Sequence, residues 1–287
     1  MTVPLSVVEF TDPACPWAWG SEPVFRWLRL ALGDQARWRR VYGILFNTTE
    51  DPAPDPAAET AWYARTLAEI SAVTRAPVPA DLQWVTRTSW PASITAKAAE
   101  RQGPAIADRV LRRLRETTFI LGTPADTVDS ALAAVRSVPG IDHDRLTRDV
   151  ADRVVREAVR ADWTETREPD PELRTLAGPG PHGGAAKLVQ GRHRFALPTV
   201  VFTGIGGRHI VPGWRALAEY VAAARKADPS LIVRTPTLSV DDIFDSFDSV
   251  TLPELQLLTG EDRFPVGVSI VESGNGPIWH KTSRDGN

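Results

Sequence analysis

The sequence predicts an α/β fold in which a large all-helical insertion divides one sheet-forming unit and a small appendage follows it. Three patterns carry that expectation: strand–helix–strand over residues 5–46, helical periodicity from about 57 to 168, and strand–strand–helix from 195 to 226. The divisions fall at 1–47 and 188–233 for the two parts of the sheet-forming unit. Residues 48–187 form the insertion and 234–287 the appendage.

Taken in order, residues 5–10 (Leu-Ser-Val-Val-Glu-Phe) are β-branched and apolar, as a buried strand requires. The turn Thr11-Asp12-Pro13-Ala14 leads to a helix opening at Cys15, with Pro16 in the first turn, where a missing N–H costs nothing. Val24, Phe25, Trp27, Leu28 and Leu32 continue that helix to Gly33, and Pro23 is expected to kink it. A returning strand is expected over 36–46, and the proline-rich stretch 51–56 is a loop. Four apolar stripes mark the insertion. They run Trp62, Leu67, Ile70; then Ile106, Val110, Leu111, Leu114, Phe119; then Val128, Leu132, Val135; and finally Leu146, Val150, Val154, Val155. Each reads as a core-facing stripe whose neighbouring charges are solvated.

After a connection at 178–184, Phe195–Phe202 reads as a strand, Thr203–Gly207 as a turn and Arg208–Val211 as the return of a hairpin. A helix from Trp214 to Lys226 closes the unit. Beyond Pro236 come an acidic stretch (Asp241, Asp242, Asp245, Asp248), a short helix at Pro253–Leu258 and a hairpin from Val266–Val271 to Ile278–Lys281. That order is similar to a winged-helix remnant, and the segment reads as a packing appendage or a partner site.

With 33 Lys and Arg against 36 Asp and Glu, the net charge of −3 gives no reason to expect nucleic acid or an anionic membrane as partner. No apolar run approaches membrane-spanning length and residues 1–6 carry no basic, then apolar, leader pattern, so a cytoplasmic protein is expected. One cysteine forbids an internal disulfide or a multi-cysteine metal cage. The five histidines, His143, His182, His193, His209 and His280, show no metal-ligand spacing, and no metal is expected.

A lone cysteine is ordinarily a small buried hydrophobe. Cys15 instead falls between a strand end and a helix start, where free N–H groups and the helix dipole favour a thiolate. Glu9, on the strand before it, either faces solvent at an edge or is buried on an apolar strand, where its pKa is expected to rise. Trp17 and Trp19 can wall the thiol or pack the helix; Trp17 is the better candidate for the wall.

The block Asp12-Pro13-Ala14-Cys15-Pro16-Trp17-Ala18-Trp19 resembles the active-site segment of the DsbA family, particularly its FrnE-like and dithiol-disulfide-isomerase branches. The resemblance covers roughly residues 5–226 and implies a thioredoxin-like fold. Ala196-Leu197-Pro198-Thr199-Val200 matches the family's second motif, which implies a cis Pro198 beside the cysteine and a backbone at Leu197 open to strand-like pairing with substrate. The resemblance therefore implies Cys15 and Glu9 as catalytic residues. It implies Pro16, Trp17, Ala18, Leu197, Pro198 and Thr199 as the substrate-binding set. One departure is decisive: redox-active members carry a second cysteine where this chain has Ala18, so no internal thiol can resolve a mixed disulfide.

Three functions remain open. One is monothiol disulfide chemistry at Cys15 on a disulfide-containing protein or small thiol, with no tightly bound cofactor and glutathione or mycothiol as co-substrate. The second is a thiol-dependent isomerase or transferase of the hydroxychromene-carboxylate isomerase or kappa-class type. The third is a non-catalytic adaptor, with a protein partner reached through residues 236–287.

Overall fold

The structure is a computed structural model and describes residues 4–47, 55–178, 183–189, 191–261 and 263–282. Most of the loop expected at 51–56, the middle of the 178–184 connection and His182 lie outside the described residues. In chain order, β1 (Leu5–Thr11) leads into α1 (Pro16–Gly20) and α2 (Glu22–Leu32), and β2 (Ala36–Tyr42) returns. The insertion holds α3 (Pro56–Thr74), α4 (Trp90–Ala99), α5 (Pro104–Phe119), α6 (Val128–Ala134), α7 (His143–Ala151) and α8 (Arg153–Thr166). A hairpin of β3 (Ala186–Val189) and β4 (Arg192–Phe195) precedes β5 (Thr199–Gly204), β6 (Gly207–Pro212) and α9 (Leu217–Ala227). The C-terminal segment adds α10 (Ile243–Ser246), β7 (Ser249–Thr251), α11 (Leu252–Thr259), β8 (Ser269–Glu272) and β9 (Pro277–His280).

The main sheet has the order β2-β1-β5-β6, with β1 and β2 parallel and the other pairs antiparallel. Side chains alternate across a strand, and β1 shows it. Leu5 and Val7 pack with Phe25, Leu28 and Leu32 of α2 on one face, while Val8 and Phe10 pack with Cys15 on the other. Each fully buried apolar side chain of this kind contributes about 1.5–3 kcal/mol. This is the expected thioredoxin-like architecture with its helical insertion.

Several local expectations change. The helix expected from Cys15 to Gly33 is two helices, not one kinked rod. Pro23 has no N–H to offer the Trp19 carbonyl four residues back; the first segment ends at Gly20, and Ser21 N–H turns to the Ala18 carbonyl instead. The strand expected to reach 46 stops at Tyr42. Gly43 N–H donates to the Thr11 carbonyl at 2.8 Å, and the chain then turns through Ile44 at φ 49°. Phe195–Phe202 is likewise not one strand: Phe195 ends β4, and β5 begins at Thr199. Trp62, Val128 and Val154, expected in the core, are exposed.

The largest change concerns charge. The basic residues of α5 were expected in solvent, yet Arg112 and Arg115 are buried, as is Glu116. Arg112 donates to both carboxylate oxygens of Glu254 on α11, at 2.8 and 3.0 Å, and to Glu116. Arg115 pairs with Glu22 of α2 and donates to Thr11 Oγ1 at 2.6 Å. Burial opposes ionisation of Glu22, but Arg115, Arg26 and Arg112 more than offset it and hold its carboxyl at about 2. One helix of the insertion is thus tied by ion pairs to the end of β1, the start of α2 and the C-terminal segment.

That segment has no separate core. Ile243, Val250, Leu255, Leu258 and Trp279 are buried in the same cluster as Leu28, Phe202 and Tyr220. Its second sheet, ordered β7-β9-β8, covers this end of the molecule.

Candidate functional site

The site begins with Asp12, which the sequence marks only as a turn residue. Its side chain is fully buried and accepts from Ala14 N–H at 2.8 Å, Leu45 N–H at 2.8 Å and Ser89 Oγ at 2.8 Å. These bonds close an Asx-type turn ahead of Cys15 and fasten it to the exit of β2 and the start of α4. Burial raises the Asp12 carboxyl above its usual range, and the three hydrogen bonds oppose the rise.

Cys15 caps α1 without a side-chain capping bond. Its thiol is 2% exposed and donates to the Leu197 carbonyl at 3.3 Å. Burial pushes the thiol up to about 11; the Ala18 N–H, Arg194 and Arg115 pull it down, and the charge of Asp12 adds to the rise. The lowered pKa expected from a helix start is therefore reversed. The long helix that would have supplied a dipole is a five-residue turn, and desolvation outweighs it.

The Leu197–Pro198 peptide is cis. Beside it, the Ala196 backbone is engaged within the chain, and at Leu197 the carbonyl meets the Cys15 thiol. Ala196 N–H donates to the Ala185 carbonyl at 3.0 Å, its carbonyl accepts from Thr199 Oγ1 at 2.6 Å, and the Leu197 carbonyl takes the thiol. Cys15, Pro16, Trp17 and Leu197 line a cavity of about 1150 Å³. Ala18, Pro198 and Thr199 stand behind it, buried. Trp17 is half-buried at the cavity and lies 6.1 Å from Trp214 between ring centres. Trp19 is core: its indole N–H donates to the Pro77 carbonyl at 2.8 Å, its ring stacks on Phe119, and the Arg112 guanidinium covers it.

Glu9 is buried but is not brought to the thiol. It takes the sheet face of Leu5 and Val7, opposite Phe10 and Cys15, and its carboxylate meets Arg29 at 2.9 Å, Arg40 at 3.3 Å and Arg115 at 3.8 Å. It lines a second cavity, of about 1160 Å³, among these charges. The acid whose charge bears on Cys15 is Asp12, three residues later in the turn. An Asp-Pro just before a cysteine is the only sequence signal that could have found it.

Sequence reasoning also missed the far wall of the cavity. Tyr63 of α3 reaches the Ala14 carbonyl at 3.4 Å, and Trp62, Trp84 and Trp214 line the space from three distant segments. Lys187 and Arg194 enter from the β3–β4 hairpin. Their neighbourhood in sequence shows no motif; the tertiary fold alone assembles them.

The profile of the family described as Thioredoxin matches residues 9–170. Among curated proteins, the ClpXP adapter protein SpxH of Shouchella clausii is 30% identical over 169 residues, covering 58% of this chain and 55% of that protein. The match thus spans about half the length of the curated relative. Among solved structures, a candidate protein disulfide isomerase from Nitrosomonas europaea superposes with a TM-score of 0.58 at 14% identity, covering 78% of this chain and 96% of that one. The cytosolic disulfide reductase DsbM of Pseudomonas aeruginosa gives 0.54 at 16% identity, covering 78% and 94%. With the profile spanning more than half of the chain, this chain belongs to the thioredoxin family.

Proposed function

We propose that the protein is a polypeptide-binding, adaptor-class member of its family, in which the cavity at Cys15 recognises a partner without exchanging disulfides. The observation that carries this reading is the state of the thiol. Cys15 is buried, bonded to the Leu197 carbonyl and pushed up to about 11, and Ala18 replaces the second cysteine. Disulfide exchange needs a thiolate to attack and a thiol to resolve. At neutral pH a thiol with that pKa is ionised in about one molecule in ten thousand. The name of the SpxH relative, an adapter protein, supports the same class. A cytoplasmic setting is part of the proposal.

A second reading, monothiol exchange with glutathione or mycothiol as the resolving thiol, draws on one observation: Cys15, however shielded, does line the cavity. One experiment separates the two. Wild type and Cys15→Ser are compared for insulin reduction with glutathione present and for binding to an immobilised peptide library. The adaptor reading expects no reduction above the glutathione background and a peptide profile that the substitution leaves unchanged. Turnover by wild type that Cys15→Ser abolishes would overturn it. Deleting residues 236–287 is not a usable test, because Val250, Leu255 and Trp279 are part of the main core.

A further inference from the structure

The cavity at Cys15 distributes its donors and acceptors in a way that narrows what it can hold. Its lining includes four of the chain's ten tryptophans: Trp17, Trp62, Trp84 and Trp214. Two tilted ring pairs stand among them. Trp17 and Trp214 lie 6.1 Å apart between centres at 42°, and Trp62 and Tyr63 lie 6.2 Å apart at 38°. Trp84 donates its indole N–H to Asp126 at 3.1 Å. The indole N–H groups of Trp17, Trp62 and Trp214 have no acceptor among the described residues, and all three side chains keep exposed surface.

The carbonyls of the wall are in the opposite state. Leu197 takes the Cys15 thiol at 3.3 Å and Ala196 the Thr199 hydroxyl at 2.6 Å. Phe46 takes Ser89 N–H at 3.0 Å, Gly213 the Tyr220 hydroxyl at 3.0 Å and Trp214 the Arg215 guanidinium at 2.8 Å. Glu59 is the one carboxylate among the described lining residues. The cavity thus presents aromatic faces and free donors, while its backbone acceptors are engaged. A strand entering it brings an N–H at every residue, and a buried N–H needs an acceptor. Proline brings a carbonyl and no N–H. In the polyproline II helix those carbonyls make no internal bonds, and such segments dock in aromatic-lined grooves. The space also exceeds the roughly 300–1,000 Å³ of most small-molecule pockets, which suits a chain segment.

We infer that the cavity takes a proline-rich segment of the partner in the polyproline II form, its prolines on the tilted tryptophan faces and its carbonyls accepting from the free indole N–H groups. The inference rests on the polypeptide-binding reading and adds the class of segment to it.

The test uses the full chain and fluorescence polarisation with three labelled decapeptides, all acetylated and amidated. One is a frame of Leu and Pro, and the others replace every Pro by Ala or by Val. Because a buried N–H left unpaired weakens binding about tenfold, the proline peptide is expected to bind at least about tenfold tighter than either. Trp62→Phe and Trp214→Phe each keep a ring and remove a donor, and each should weaken the proline peptide about fivefold. Their folding is checked by the thermal midpoint. An Ala or Val peptide that binds as tightly as the proline peptide would overturn the inference and leave polypeptide binding standing. Unchanged affinity in both tryptophan variants would overturn it as well. If none of the three peptides binds the inference falls, and if glutathione binds in their place the polypeptide reading falls with it.

Discussion

Cys15 should be a slow thiol, and the structure says by how much. With its pKa pushed up to about 11, the thiolate fraction at pH 7.5 is about 3 in 10,000, against about 9% for a free thiol of pKa 8.5. That is a deficit of roughly 300-fold. A more basic thiolate is also a better nucleophile, by about 10-fold over this interval, which leaves exchange with a small disulfide at least about 20-fold slower than in the unfolded chain. Shielding at 2% exposure adds to the delay. The assay is dithiodipyridine exchange followed by absorbance, run on native and urea-unfolded protein between pH 7 and 10.5. The same shift has a stability sign. Folding keeps Cys15 protonated, so its contribution is complete below the unfolded pKa near 8.5 and is lost as pH rises towards 11. A shift of this size amounts to about 3 kcal/mol. The Cys15→Ala variant should therefore show a flatter decline in stability over pH 9 to 11. A native exchange rate at pH 7.5 equal to or above that of the unfolded chain, with a profile midpoint below 8.5, would refute the reasoning.

Three further outcomes follow from the charges and the motif. Glu254→Gln leaves Arg112 and Arg26 buried opposite a neutral amide, and should cost about 3–5 kcal/mol in urea unfolding; a loss below about 1 kcal/mol would mean the network is not sustaining the C-terminal segment. Because Glu22 is held at about 2, its share of stability is complete above the unfolded pKa near 4.5 and is lost as pH falls from there towards 2. An acid titration by near-ultraviolet dichroism should show that loss in the window, and Glu22→Gln should remove it. Ala18→Cys puts a thiol three residues from Cys15, one helical turn on, where Cα atoms about 5 Å apart fall within the span of a disulfide. Mass spectrometry of the oxidised variant should find it two hydrogens lighter, at a stability cost of about 1–3 kcal/mol for overfilling a site with no exposed area.

Local sequence carries much of this molecule. Strand β1, the turn at Asp12–Ala14, the β5–β6 hairpin and the stripe on α5 follow from side-chain periodicity and turn chemistry, which act over a few residues and so can be read along the chain. The same holds for the Cys-Pro-Trp block and for the missing second thiol at Ala18. What periodicity cannot contain is which partner a charged residue meets after folding. Arg112 and Arg115 look like solvated neighbours of an apolar stripe until α11 and α2 bring Glu254 and Glu22 to them. Glu9 looks like an active-site acid until strand alternation sends it to the face opposite the thiol. Cys15 itself is the clearest case. Its place in the chain argues for a thiolate, because a helix start offers N–H groups. The packing of Phe10, Phe195 and Leu197 around it withdraws the solvent that a charge requires, and keeps it a thiol.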